Sequence, residues 1–151
     1  MSKEELHIEP TNKTPEVTLN PKGFIKITGR AIDESRNKFS EEIISWLDNY
    51  LTSPANLTEV VIALEYLNSY NSIIMATILR QVAQVSQHAK KLSIKWYVDE
   101  DDDDLLERGK YISSTFNIPI DFIMTEDIKT VYWKLLPYGI LKLYLLLLFY
   151  S

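Results

Sequence analysis

An uninterrupted apolar run, from Val60 to Leu64, is the feature that most limits what this chain can fold into. The run is VVIAL, and it lacks the alternation of apolar and polar residues that a strand with one solvated face shows. Strands of this kind are buried on both faces, as they are in parallel sheets that carry helices. The run therefore predicts a central strand of a layered α/β domain.

The segments around this strand predict an alternation of strands and helices. Asn20 to Gly23 has turn chemistry, since proline presets φ at its second position and glycine suits its fourth, and it predicts an antiparallel hairpin over about residues 15–29. Apolar periodicity then predicts a helix over about residues 36–52, the strand 60–64, a long helix from about 74 to 90, a strand over 92–98, a shorter helix through 105–112 and a strand near 119–124. This order implies right-handed crossovers. We therefore predict a single α/β domain, with a mostly parallel central sheet, an N-terminal hairpin and helices packed on the sheet.

Composition excludes several classes of function. The net charge is -5 and no cluster of lysine or arginine is present, which argues against nucleic-acid binding. The chain has no cysteine, so disulfides, thiolate nucleophiles and cysteine metal sites are excluded together. His7 and His88 have no metal or triad spacing, and there is no glycine-rich phosphate loop. We therefore predict no enzymatic activity, no cofactor and no metal site. The N-terminus lacks an apolar signal segment, and we expect a cytoplasmic protein.

A polar patch follows the apolar run where the predicted strand gives way to a helix. It contains Asn68, Ser69, Asn71 and Ser72. Serine and asparagine favour helix starts because their side-chain oxygens accept hydrogen bonds from the first free N–H groups. The same position suits a phosphate, which the free N–H groups and the positive end of the helix dipole stabilise. Capping and phosphorylation are thus both open for this patch.

The run DEDDDD, from Asp99 to Asp104, is interpreted as the solvated start of the next helix. Acidic residues in the first turn of a helix interact favourably with its dipole. Calcium sites space their ligands around a glycine turn, which this run lacks. A partner surface or a weak Mg²⁺ site is the second interpretation.

Four sequence blocks resemble the SiaC family of bacterial regulatory phosphoproteins, which was first known as a domain of unknown function. They are IEPT-x-KTP at residues 8–15, GR-x-I at 29–32, LEY-x-N-[ST] at 64–69, and Trp96-Tyr97 followed by acids. The resemblance extends from about Leu6 to Met124. The chain departs from the family pattern after the third block, where members carry small hydroxyl residues and then lysine but this chain has Tyr70-Asn71-Ser72-Ile73. Ala31 likewise stands where members usually carry serine.

The resemblance implies a fold like that of STAS-type anti-sigma-factor antagonists. It also implies a switch operated by a partner serine/threonine kinase and a PP2C-type phosphatase. The unphosphorylated form would bind and activate a diguanylate cyclase, raising cyclic-di-GMP and promoting biofilm formation. The family's acceptor is the residue after the asparagine of LEY-x-N-[ST], which is Ser69 here, and Ser72 is the second choice. The predicted partner-binding residues around it are Tyr66, Asn68, Tyr70 and Asn71.

Three functions therefore remain open. The first is the non-enzymatic phosphorylation switch just described, which we predict. The second is an anti-sigma-factor antagonist in a partner-switching pathway that controls transcription. The third is a small enzyme that uses the acidic run with Mg²⁺.

The C-terminal segment differs in composition from the rest. Of the last 21 residues, sixteen are apolar, two are lysine and none is acidic. A spanning helix needs about 20 predominantly apolar residues, but Lys142 lies near the middle of this segment and Pro137 and Gly139 interrupt it. We predict a domain over residues 1–125 and a tail over 126–151 that is dispensable for the fold and not a membrane anchor. The open interpretations of the tail are packing on its own domain, lying in an interface such as a membrane surface, association with another chain, and an aberrant or frameshifted end.

Overall fold

The computed structural model describes residues 4–35, 39–135 and 146–149. The strands in these residues are β1 (Leu6–Ile8), β2 (Glu16–Leu19), β3 (Phe24–Ala31), β4 (Leu57–Leu67), β5 (Lys91–Asp99) and β6 (Asp121–Thr125). The helices are α1 (Phe39–Tyr50), α2 (Ser69–Ala83), α3 (Asp103–Phe116) and α4 (Ile128–Lys134), and a 3₁₀ turn, Gln84–His88, follows α2. Residues 146–149 are also helical.

The six strands form one sheet in the order β1-β2-β3-β4-β5-β6. Strands β1, β2 and β3 are antiparallel, whereas β3 to β6 are parallel. The predicted hairpin and the mostly parallel sheet are thus confirmed. In the hairpin turn, the Asn20 side chain accepts the Lys22 N–H at 2.8 Å. Gly23 has φ of 108°, and a Cβ there would meet the Leu57 carbonyl oxygen at 2.2 Å, so the turn requires glycine.

The VVIAL run is buried on both faces of the sheet, as its sequence predicts. From β3 to β6, each strand lies beside the next strand in the chain, always on the same side. Because the crossover connections between parallel strands share one handedness, the helices in these connections pack on the same face of the sheet. Ile62 and Trp96 are fully buried in the core on that face, which also includes residues of α1, α2 and α3. Ala63, on the opposite face, packs against Ile128 and Val131 of α4.

Helix α4 lies within the segment that the sequence analysis assigned to the tail. The side chains of Ile128 and Val131 are each 2% exposed, and the Ile128 N–H donates to Asp99 Oδ1 at 2.6 Å. Burial and the charge of Glu65 raise the pKa of the Tyr132 phenol, which stays neutral and donates to Glu65 Oε1 at 3.5 Å. These contacts attach α4 to β4 and β5. The domain boundary at residue 125 stays a prediction.

Much of the apolar tail lies outside the described residues, because these end at residue 135 and resume only for 146–149. Leu147 and Phe149 are exposed in that last stretch. None of the helices in the described part of the chain is both long and apolar enough to cross a bilayer.

Candidate functional site

Helix α2 begins directly after β4, and Asn68 is the residue that starts it. Its backbone is extended, with φ of -84° and ψ of 174°, and its Oδ1 accepts the Asn71 N–H at 2.9 Å. Its Nδ2 donates to the Ile32 carbonyl oxygen at 3.0 Å, in the segment after β3. Asn68 therefore caps the helix, as expected for this residue type, and ties the helix start to the adjacent strand end.

Ser69 is the first residue of α2, and its side chain is exposed. Its Oγ accepts a hydrogen bond of 3.1 Å from Arg108 Nη1 on α3. The hydroxyl therefore lies at the surface of the domain, at the positive end of α2 and beside a cation. Among the residues of the polar patch, this one combines exposure with an environment that favours a negative group.

The hydroxyl of Ser72, the second-choice acceptor, has a different environment. It is partly buried, and its Oγ donates to the Asn68 carbonyl oxygen at 2.9 Å. Asn71 is only 6% exposed, and its Nδ2 donates to the Asp33 carbonyl oxygen at 2.9 Å. The side chains of both residues thus bond within the domain. Their roles as acceptor and partner contact stay predictions.

Two tyrosines flank the helix start and are exposed, as a partner surface requires. Tyr66 is 53% exposed and Tyr70 is 39% exposed. The Arg30 guanidinium lies 4.4 Å from the centre of the Tyr66 ring, which is cation–π distance. This contact orients the ring, and the side chain as a whole stays exposed.

A groove of about 840 Å³ runs between α2 and α3, with Ser69 on its lining. The most exposed large apolar side chains on its lining are Ile73, 70% exposed, and Tyr111, 68% exposed. The charged side chains that line it are Asp104, Glu107, Arg80 and Arg108. Two acids and two arginines leave the groove formally neutral, so it combines apolar surface with balanced charge.

Sequence analysis did not name Arg108, and it gave no binding role to Ile73 or Tyr111. A signal for Arg108 was present, because α2 and α3 both begin at the carboxyl ends of adjacent parallel strands. The first two turns of such helices lie close together, and Arg108 is in the second turn of α3. The contact with Ser69 joins residues that are 39 positions apart.

The acidic run begins α3, as predicted. Asp102 is the cap, and its Oδ1 accepts the Leu105 N–H at 3.0 Å, while Asp103 and Asp104 lie exposed in the first turn. Acids at these positions interact favourably with the dipole of α3. The arrangement accounts for the run without a metal ion.

The capping role of Asp102 predicts that its removal destabilises the domain more than the removal of its neighbour Asp101. Asp102→Ala should lower the free energy of unfolding by about 0.5–2 kcal/mol, because the Leu105 N–H loses its acceptor. Asp101→Ala, which removes an exposed acid just before the cap, should change it by less than about 0.5 kcal/mol. Urea denaturation followed by circular dichroism measures both. Equal losses in the two variants would contradict the capping role of Asp102.

The structure also brings His7 together with Glu9 and Glu16, three residues to which the sequence analysis gave no role. Their ligand atoms lie within 4.8 Å of one another. The Lys26 ammonium, however, contacts Glu16 Oε1 at 2.8 Å and supplies positive charge to the cluster. The geometry is that of a Lys26–Glu16 ion pair on neighbouring strands, with His7 and Glu9 beside it.

The fold and the site together define a class of protein: a small α/β domain that presents an exposed helix-start hydroxyl beside a partly apolar groove. A family model described as SiaC family regulatory phosphoprotein matches residues 8–125. The chain belongs to the SiaC family of regulatory phosphoproteins, which confirms the resemblance of its sequence blocks.

Individual relatives agree with this assignment. An uncharacterized protein of Pseudomonas aeruginosa (strain UCBPP-PA14) is 22% identical over 116 residues, which are 76% of this chain and 92% of that protein. The crystal structure of apo-SiaC from Pseudomonas aeruginosa superposes with a TM-score of 0.70 at 22% identity, covering 79% of this chain and 98% of that one. SiaC in the crystal structure of diguanylate cyclase SiaD with its activator SiaC, from the same organism, gives 0.70 at 21% identity, covering 80% and 99%. These similarities confirm the predicted fold.

Proposed function

We propose that this protein is a non-enzymatic regulator that binds and activates a diguanylate cyclase while Ser69 is unmodified, and that phosphorylation of Ser69 weakens the binding. The observation that carries the proposal is the exposed Ser69 hydroxyl at the start of α2, on the lining of the groove between α2 and α3. In this arrangement a covalent change at one atom alters the charge of a surface large enough to contact a partner.

The kind of partner follows from the family and from the solved complex. SiaC of Pseudomonas aeruginosa is the activator of the diguanylate cyclase SiaD in that structure. On this chain, the exposed side chains of Tyr70, Ile73 and Tyr111 supply apolar area near the serine. Exposed aromatic side chains of this kind are common energetic centres of protein interfaces. We assign them to the docking surface for the cyclase.

The proposed switch is a phosphoryl transfer by a partner serine/threonine kinase. The Ser69 Oγ forms a bond to the γ-phosphorus of ATP as the bond between that phosphorus and the β,γ-bridging oxygen breaks. ADP leaves, and the hydroxyl proton passes to the kinase's base. A PP2C-type phosphatase reverses the change by hydrolysis and returns inorganic phosphate. Because the cycle consumes ATP, we propose the cytoplasm as the location of the protein.

The acceptor can be identified directly. We expect the cognate kinase and ATP to label Ser69 as the main site, because its hydroxyl is exposed while that of Ser72 is partly buried and bonded to the helix backbone. Phosphopeptide mapping by mass spectrometry measures this. Ser69→Ala should lose most of the phosphate and Ser72→Ala should keep it. Phosphate found mainly on Ser72, or on neither serine, would contradict the assignment.

The partner can be tested with two baits. Unmodified protein should capture a diguanylate cyclase encoded by the same organism and raise its production of cyclic-di-GMP. An anti-sigma kinase should not bind. Binding of the anti-sigma kinase in place of the cyclase would indicate instead that the protein acts in the control of transcription.

A further inference from the structure

We propose that Arg108 of α3 binds the phosphate of modified Ser69 within the same chain, so that phosphorylation joins α2 to α3 at one end of the groove. The inference rests on the proposed function, because it describes how the phosphorylated state of that switch is held. It assigns a role to a residue that the sequence analysis did not single out.

The geometry for this contact is present before modification. Arg108 Nη1 already donates to Ser69 Oγ at 3.1 Å, and Oγ is the atom that would carry the phosphorus. The guanidinium has a planar fork of donors that matches two phosphate oxygens at once. Arg108 is half-buried, so solvent screens its charge less than that of a fully exposed arginine. A phosphate on Ser69 therefore forms within reach of a partly desolvated cation.

The start of α2 offers a phosphate only some of its first-turn N–H groups, so Arg108 adds to what the helix supplies. Its Asn71 N–H is bonded to Asn68 Oδ1 at 2.9 Å, and its Ser72 N–H is bonded to the Asn68 carbonyl oxygen at 2.9 Å. Two donors of the first turn are thus already engaged. The neighbouring acids Asp104 and Glu107 line the same groove and repel a phosphate. The balance of attraction and repulsion at this end of the groove consequently depends on Arg108.

Arg80 provides a matched comparison. It also lines the groove, but it lies eleven residues beyond Ser69 along α2, which corresponds to about 16 Å of helix. Its guanidinium lies 4.7 Å from the centre of the Phe116 ring. Arg80 thus carries the same charge on the same groove at a distance where it cannot contact the phosphate.

The test uses the full chain with phosphoserine incorporated at position 69 during translation, and titrates its phosphate by ³¹P NMR. An unperturbed phosphoserine has a second pKa of about 6. We expect that pKa to be lower in the otherwise wild-type chain, and Arg108→Gln to raise it by about half a unit or more, since a neighbouring opposite charge favours the ionised form. Arg80→Gln should leave it unchanged, and Arg108→Lys should give an intermediate value because it keeps the charge but loses the planar fork.

The result that overturns the inference is the same phosphate pKa in the wild-type background and in Arg108→Gln. If Arg108→Gln does not fold, as judged by circular dichroism of the unmodified chain, Arg108→Met decides, because it keeps an unbranched side chain but removes the charge: a pKa equal to that of wild type then overturns the inference. The titration needs neither kinase nor cyclase. A lowered phosphate pKa in a protein that binds no cyclase would refute the proposed function alone. An unshifted phosphate pKa in a protein that still binds the cyclase would refute only the binding of the phosphate by Arg108.

Discussion

Phosphorylation of Ser69 is expected to weaken binding to the cyclase at least tenfold, with Ser69→Asp giving a smaller loss and Ser69→Ala an affinity within about twofold of wild type. A tenfold loss corresponds to about 1.4 kcal/mol. The phosphate adds close to two negative charges to a groove whose acids and arginines balance. Arg108 offsets only one of the added charges, and desolvating the remainder in an interface built for a neutral hydroxyl costs about this much or more. Aspartate adds one charge on a shorter side chain, so it reproduces part of the effect.

Isothermal titration calorimetry of each form against the cyclase measures these affinities. Ser86→Asp is the matched control, because Ser86 is also exposed but lies in the 3₁₀ turn at the far end of α2. It adds the same charge away from the groove and should bind like wild type. Equal affinities of the phosphorylated, Ser69→Asp and wild-type proteins would show that this residue does not control docking. An equal loss in Ser86→Asp would show that the net charge matters and its position does not.

The sheet was largely predictable because its signals are local. The VVIAL run specifies a strand buried on both faces, and the turn at Asn20 to Gly23 specifies the hairpin that leads into the parallel strands. The extent of each element was less predictable. Strand β4 extends from Leu57 to Leu67, well beyond the apolar run, because strand pairing with β3 and β5 continues through residues whose own pattern is polar.

The candidate site was predictable in part, because some of its signals are also local in the sequence. Asn68 and Ser69 are marked by the change from strand to helix and by the family block that spans it. Sequence alone therefore predicted the cap, which the structure shows, and an acceptor at Ser69, which stays a prediction. The contact from Arg108 depends on how closely α2 and α3 approach each other, which packing on the sheet determines and local sequence does not. The internal bonds of Asn71 likewise depend on the chain segment after β3, which lies 38 residues away. Asn71 as a partner contact stays a prediction, and the fold in addition uses its amide to fix the helix start.

Because α4 is buried, experiments can distinguish the part of the C-terminal segment that stabilises the domain from the part that does not. Sequence analysis assigned the whole of 126–151 to a dispensable tail, but Ile128 and Val131 cover Ala63 on the face of the sheet opposite α1, α2 and α3. Ending the chain after Met124 exposes that face and removes the Ile128 N–H from Asp99. We expect this form to lose several kcal/mol of unfolding free energy, because burying an Ile or Val side chain contributes about 1.5–3 kcal/mol. Ending the chain after Leu135 keeps α4 and should leave the stability close to that of the full chain.

A pair of substitutions separates the packing of α4 from the mere length of the chain. Ile128→Ala should lower the unfolding free energy by about 2–5 kcal/mol, as for other large-to-small changes in a core. Lys129→Ala, at the exposed neighbouring position, should change it by less than about 0.5 kcal/mol. Urea denaturation of all four forms checks this. If the chain ending at Met124 unfolds at the same urea concentration as the full chain, α4 is dispensable after all. If it is less stable, α4 belongs to the folded domain, because it packs against β4, the strand whose carboxyl end leads into Asn68 and the start of α2.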